Sequence, residues 1–65
     1  MTASTLRLKR FKLELSQYQL SELAGVSRFN ISQFELGHRN LTKDERGRIW
    51  SAIKKAESNV EPKSP

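Results

Sequence analysis

The stretch SQYQLSELAGVSRFNISQFELG, residues 16–37, decides the fold of this chain. Ser16, followed three positions later by Gln19, forms a capping box, which marks the start of a helix. Gly25 is a helix stop, because glycine adopts the left-handed backbone of a helix end at little cost. Ser27 then caps a second helix. The stretch therefore predicts two short helices joined by a tight turn from Gly25 to Ser27.

Apolar spacing predicts which faces of these two helices turn inward. The second helix should run from about Arg28 to Leu36 and end at Gly37. Inward positions are expected for the apolar residues at helical spacing and for one residue of the turn: Leu20, Leu23, Ala24, Val26, Ile31 and Phe34. This layout predicts a helix-turn-helix, a motif whose second helix enters the major groove of DNA.

A further helix is predicted before the stretch, over about Thr5 to Leu13. One of its faces carries two leucines and an arginine, namely Leu6, Arg10 and Leu13. Leu8 and Phe11 lie opposite that face. These two could pack against the last helix of the chain or against a partner subunit.

The last helix is predicted to begin after Thr42, which forms a capping box with Glu45. Its inward stripe consists of apolar residues at helical spacing: Ile49, Ala52, Ile53 and Ala56. Gly47 weakens this helix, and either permits close packing or breaks the helix in two. Trp50 stands beside the stripe, either as a rim residue over the core or as an anchor at a dimer interface.

Composition narrows the class of protein. The chain has 65 residues, so we expect one domain over residues 1–57 and a flexible tail over 58–65, which holds both prolines. Its 12 lysines and arginines exceed its 7 acidic residues, and the net charge of +5 favours a polyanionic partner. Cysteine, a signal-peptide core and a membrane-spanning apolar run are all absent from the sequence. We therefore expect a cytoplasmic, nucleoid-associated protein.

Catalytic chemistry has little support in the sequence. His38 is the one histidine, and there is no cysteine to act as nucleophile or metal ligand. Neither a paired acid and base nor a metal-ligand spacing can be found. We expect no enzyme activity, no metal, no cofactor and no small-molecule ligand.

Several short motifs carry a family resemblance: Leu6-x-x-x-Arg10, Leu15-Ser16-Gln17-x-x-Leu20, Gly25-Val26-Ser27 and Ile31-Ser32-x-x-Glu35-x-Gly37. Through them the chain resembles the phage-repressor and Cro-type helix-turn-helix family, also called the Xre family and lambda repressor-like. The resemblance covers about residues 6–56. It implies a compact all-α domain of four to five helices, with the helix-turn-helix formed by helices 2 and 3. Glu14 and Ser21 depart from the family pattern, which commonly has glycine and alanine there.

The resemblance assigns base contacts to the outward side of the third helix, and the chemistry of the residues agrees. The residues are Arg28, Phe29, Asn30 and Gln33. Arginine can pair with guanine, asparagine or glutamine with adenine, and phenylalanine can press on a thymine methyl. Phe29 could instead pack sideways on Tyr18 or Leu36.

Phosphate contacts are expected from helix ends and from the loop after the third helix. The residues are Gln17, Tyr18, Ser27, Arg39, Asn40 and Lys43, with Arg10 as a further candidate. The start of the second helix suits a phosphate, because its amides have no helical partner and its dipole end is positive. Arg10 lies on an inward face, where a lone charge is costly. The resemblance implies a structural ion pair between Arg10 and Glu35.

The function expected from these observations is sequence-specific binding of double-stranded DNA. The resemblance implies a transcription regulator, most simply a repressor, that occupies a palindromic operator as a homodimer. The alternative is a protein-interaction module of the same fold, such as an antitoxin or a recruitment adaptor. Binding through polar residues of the third helix would indicate DNA, whereas binding through Leu8, Phe11 and Trp50 would indicate a protein partner.

Overall fold

Four α-helices make up the part of the chain that a computed structural model describes, residues 2–59. They are α1 (Ala3–Lys12), α2 (Gln17–Ala24), α3 (Arg28–Glu35) and α4 (Lys43–Asn59). These residues contain no strand, so the expected all-α class is confirmed. Residues 60–65, the larger part of the predicted tail, lie outside the described residues.

Local capping residues set where the helices begin. The Ser16 and Thr42 capping boxes both form: the Ser16 hydroxyl accepts the Gln19 N–H at 3.0 Å, and that of Thr42 accepts the Glu45 N–H at 3.1 Å. α1 begins at Ala3, earlier than expected, because the hydroxyl of Thr2 accepts a hydrogen bond from the Thr5 N–H. Side-chain oxygens of this kind satisfy amides that have no partner within the helix.

The core is a single cluster of apolar side chains from all four helices and two of the connections. Its members are Leu6, Leu20, Ala24, Val26, Ile31, Phe34, Leu41, Ile49, Ala52 and Ile53. Helix α3 packs against both α1 and α2, and α4 packs against α2. Val26 fills the turn before α3, as predicted, and Leu41, which the sequence analysis did not single out, plays the same part before α4.

Three of the expected inward positions are not fully buried: Leu13, Leu23 and Ala56. Leu23 is 55 % exposed, so its predicted burial is wrong. At 100° per residue, Leu23 lies about 80° from the midpoint between Leu20 and Ala24, which are both buried. Ala56 is only half-buried, because it lies near the end of the long helix α4. Helical spacing therefore predicted the correct buried face of each helix, but it made that face too wide or too long.

Gly47 and Trp50 were the two residues of α4 whose roles the sequence left open. The helix runs without interruption through Gly47, and a Cβ atom added there would meet nothing within 4 Å. Neither a break nor close packing within the described residues therefore accounts for this glycine. Trp50 is 41 % exposed, and the ammonium of Lys9 lies 5.5 Å from its ring centroid. Lys9 also pairs with Glu57 at 3.4 Å, which ties α1 to α4.

Helices α1 and α3 end in the same type of turn. The Glu14 N–H bonds to the Phe11 carbonyl at 3.0 Å, and the next N–H, of Leu15, bonds to the Arg10 carbonyl at 2.9 Å. The end of α3 repeats this pattern with Gly37 in the left-handed position, at φ 82°. Glu14 holds that position after α1, at φ 57°. A side chain there carries strain that glycine avoids.

Replacing Glu14 with glycine should therefore stabilise the protein. We expect Glu14→Gly to raise the free energy of unfolding by about 1 kcal/mol, the left-handed strain less the added chain entropy of glycine. Urea denaturation measures this value. Gly37→Ala is the matched control and should destabilise, because its added Cβ meets nothing within 4 Å and only the backbone is strained. A Glu14→Gly variant no more stable than Glu14→Ala would contradict the account.

Candidate nucleic-acid interface

Helix α3 has one face in the core and one face in solvent. Ile31 and Phe34 are buried. The opposite side carries residues at i, i+3, i+4 and i+7, which form a single stripe on a helix: Phe29, Ser32, Gln33 and Leu36. We call this set the outer stripe of α3. Its two large apolar side chains, Phe29 and Leu36, are 67 % and 62 % exposed.

The expected base-contacting residues do not all share this face. Arg28, at the first position of α3, and Phe29 are exposed, and Gln33 is half-buried on the outer stripe. Asn30 is half-buried as well, and its Nδ2 donates to Glu45 Oε2 at 3.1 Å. The expected outward position of Asn30 is therefore wrong. It lies 100° round the helix from Phe29, toward the buried side, and α4 supplies its partner.

Two residues of the outer stripe were missed by the sequence analysis as candidate contacts. Ser32 and Leu36 stand three and seven positions after Phe29, a spacing that places them on its face. That signal was present in the sequence.

A buried ion pair holds α3 from its inner side. Arg10 Nε and Nη2 donate to the two carboxylate oxygens of Glu35, each at 2.9 Å. The side chains are only 9 % and 3 % exposed. Arg10 Nη1 also donates to the Leu15 carbonyl at 3.0 Å. The parallel hydrogen bonds give the pair a fixed geometry, so the end of α1 and the end of α3 are locked together.

Gln17 extends this arrangement to α2. Its Nε2 donates to Glu35 Oε1 at 3.0 Å, so one carboxylate joins three helices. The amide nitrogen carries a second hydrogen, which leaves the expected phosphate contact of Gln17 compatible with this geometry. Arg10 differs, because its guanidinium is buried and directed at Glu35 and Leu15. The geometry does not support the further expectation that Arg10 touches phosphate.

Removing one charge of this pair should cost most of the stability of the domain. Glu35→Gln strands the buried Arg10 charge, and breaking such pairs costs about 3–5 kcal/mol. A core of this size supplies a total of about 3–5 kcal/mol. We therefore expect largely unfolded protein at 25 °C by circular dichroism. The double variant Arg10→Met/Glu35→Leu, which removes both charges, should recover much of the loss. An unchanged melting temperature for Glu35→Gln would contradict the account.

Glu45 plays a comparable part near the start of α4. Its Oε1 accepts the Thr42 N–H at 3.0 Å and lies 3.4 Å from Arg39 Nη2, while its Oε2 accepts from Asn30. The pKa of Glu45 is lowered, and the hydrogen bond from Thr42 is the largest cause. Desolvation raises the pKa, whereas the charge and hydrogen bond of Arg39 and the hydrogen bond of Asn30 lower it. Glu45 thus joins α3 and the loop after it to α4.

The other expected phosphate contacts vary in exposure. Arg39 is partly covered by its contact with Glu45, and its Nη1 is buried with no hydrogen-bond partner within residues 2–59. The remaining candidates present exposed side chains; they are Tyr18, Ser27, Asn40 and Lys43. Ser27 also caps α3, its hydroxyl accepting the Asn30 N–H at 3.4 Å. Contact with phosphate stays a prediction for all of them.

The lowered pKa of Glu45 predicts an acid-dependent contribution to stability. A carboxyl group whose pKa is lower in the folded state stabilises fully above its unfolded pKa, about 4.3, and loses this contribution as the pH falls through the folded pKa. The difference in free energy of unfolding between the wild type and Glu45→Gln should therefore be largest near pH 7 and shrink below about pH 4. Urea denaturation across this range measures it. A difference that stays constant or grows on acidification would argue against the Glu45 network.

Comparison with known proteins identifies no relative. No protein-family model matches the chain, and searches of curated proteins and of solved structures gave no match. Membership of the Cro-type family therefore stays a prediction from the motifs. Among residues 2–59, no helix has both the length and the apolar character needed to cross a membrane. The same residues hold no group of three or more His, Cys, Asp or Glu side chains that could bind a metal ion.

Proposed function

We propose that the chain is a sequence-specific double-stranded DNA-binding protein, a transcription regulator of the helix-turn-helix type whose α3 enters the major groove. One observation carries the proposal. In the outer stripe of α3, Phe29 and Leu36 are exposed and Ser32 and Gln33 are half-buried, while core packing and the Arg10–Glu35 pair fix the opposite side of the helix. Such a helix is held rigidly on one side and presents both polar and apolar side chains on the other. This arrangement suits contact with the edges of the bases in the major groove.

The charge of the chain supports a nucleic-acid partner. Its net charge is +5, and exposed cations stand at the start of α3, at Arg28, and at the start of α4, at Lys43 and Arg46. Cations at such positions release counterions when they neutralise phosphates. Exposed polar groups at Tyr18, near the start of α2, and at Asn40, after α3, would add contacts to the backbone of the DNA.

Regulation would follow from occupancy of the site. A homodimer on a palindromic operator, with one α3 in each of two successive major grooves, would block access of polymerase and so act as a repressor. Each half-site would then lie about one helical turn, roughly 10 base pairs, from the other. This spacing is a geometric consequence of two-fold symmetry and can be measured directly.

Selection of bound duplexes from a random DNA library, at about 0.15 M ionic strength, tests the proposal. An enriched palindrome with half-sites about one turn apart is the expected result. A single enriched half-site would support DNA recognition and contradict the homodimer. If no sequence is enriched, specific DNA binding is wrong.

Two variants make this experiment sharper. Gln33→Ala should weaken binding to the selected duplex about 5- to 150-fold, the equivalent of about 1–3 kcal/mol for a bidentate base contact, with little change for unselected DNA. Lys54→Ala is the matched control on an exposed site of α4. It should lower both affinities together through charge alone.

A protein-interaction module is the second candidate. Leu8 and Phe11 are 56 % and 58 % exposed on α1, on the side of the helix opposite the buried Leu6. An apolar pair of this kind suits a protein partner. Binding that depends on Leu8 and Phe11 and is insensitive to Gln33 would favour this candidate over DNA.

A further inference from the structure

The two ends of the outer stripe of α3 carry large apolar side chains. Phe29 and Leu36 are 67 % and 62 % exposed. They are seven residues apart, which places them within about 20° of each other round the helix and about 10 Å apart along it. Leu36 keeps this phase, because its backbone is still helical, at φ −82° and ψ −5°. Two apolar side chains thus point the same way from one short helix.

Polar side chains fill the space between them. Ser32 and Gln33 lie three and four residues after Phe29, on the same stripe. The stripe therefore reads apolar, polar, apolar along the helix. An exposed apolar side chain costs solubility, and two that share a direction with polar groups between them indicate a surface of alternating apolar and polar groups.

The major groove offers such a surface. Its floor displays hydrogen-bond donors and acceptors together with one apolar group in unmodified DNA, the 5-methyl group of thymine. The same methyl group occurs on 5-methylcytosine in modified DNA. Because a helix in the major groove is inclined to the axis of the DNA, a separation of about 10 Å along α3 spans at most about three base-pair steps of 3.4 Å each. Phe29 and Leu36 cannot form side-chain hydrogen bonds, so methyl contact is the base readout open to them.

We propose that α3 reads two pyrimidine 5-methyl groups that lie two to three base pairs apart, one with Phe29 and one with Leu36, around a base pair read by Gln33. This inference rests on the proposed DNA binding and names the chemical class of site that α3 selects. It makes Phe29 and Leu36 specificity-determining residues. Two sources of the methyl group, thymine and 5-methylcytosine, are distinguished by the test.

The test uses two duplex libraries, one of ordinary DNA and one in which every cytosine is 5-methylated. Thymines at the proposed spacing, enriched from both libraries, would assign the methyl groups to thymine. Enrichment of cytosines at that spacing from the methylated library alone would assign them to 5-methylcytosine. Specific sites with no pyrimidine methyl at this spacing would overturn the proposal.

Removal of single methyl groups then measures each contact. Replacing each enriched thymine with deoxyuridine, or each 5-methylcytosine with cytosine, deletes only the methyl group. Each deletion should weaken binding about fourfold, the equivalent of about 0.8 kcal/mol for one buried methyl-sized group. The Phe29→Ala variant should bind with unchanged affinity when the methyl group that Phe29 contacts is deleted. The Leu36→Ala variant should likewise be insensitive to deletion of the other methyl group. Gln33→Ala is the matched control and should keep both effects.

The outcomes separate this proposal from the one on which it rests. A selected site that tolerates deletion of both methyl groups without loss of affinity would overturn methyl readout and leave specific DNA binding intact. Absence of any enriched sequence would overturn both. Circular dichroism of Phe29→Ala and Leu36→Ala checks that these surface variants keep the wild-type helix content.

Discussion

The buried pair of Arg10 and Glu35 is the constraint on which the rest of the structure depends. Glu35 accepts hydrogen bonds from Arg10 on α1 and from Gln17 on α2, while its own backbone ends α3. Arg10 also bonds to the Leu15 carbonyl in the turn after α1. A charge this deeply buried is tolerated only with its partner in place. The pair therefore fixes the direction of α3 relative to the two preceding helices, and with it the direction of the outer stripe.

Glu45 gives α3 a second attachment, near its other end. Its hydrogen bonds to Thr42 and Asn30 join the start of α4 to the first turn of α3. The two carboxylates thus hold a helix of only eight residues, which would be marginal by itself in water. The two sides of α3 therefore differ in chemistry. Residues directed inward hold the helix, and the outer stripe remains open to a partner.

Much of the fold could be predicted because its signals are local. The capping boxes at Ser16 and Thr42 and the stops at Gly25 and Gly37 depend on residues within a few positions of each other, so they can be read from the sequence. The burial and the partners of residues at the edge of a helix face could not be predicted in this way. Asn30 finds its partner fifteen residues away on Glu45, and no local pattern shows that contact.

The candidate site was predictable in part for the same reason. The phase of α3 was available from the spacing of Phe29, Gln33 and Leu36. Which polar residues already form hydrogen bonds inside the protein depends on how the helices pack.

A titration of the uniformly ¹⁵N-labelled protein with the selected duplex, followed by amide NMR spectra, tests the central claim most directly. We predict the largest shifts along the outer stripe of α3 and at the start of α2. Shifts confined to the outer face of α1, around Leu8 and Phe11, would contradict the account.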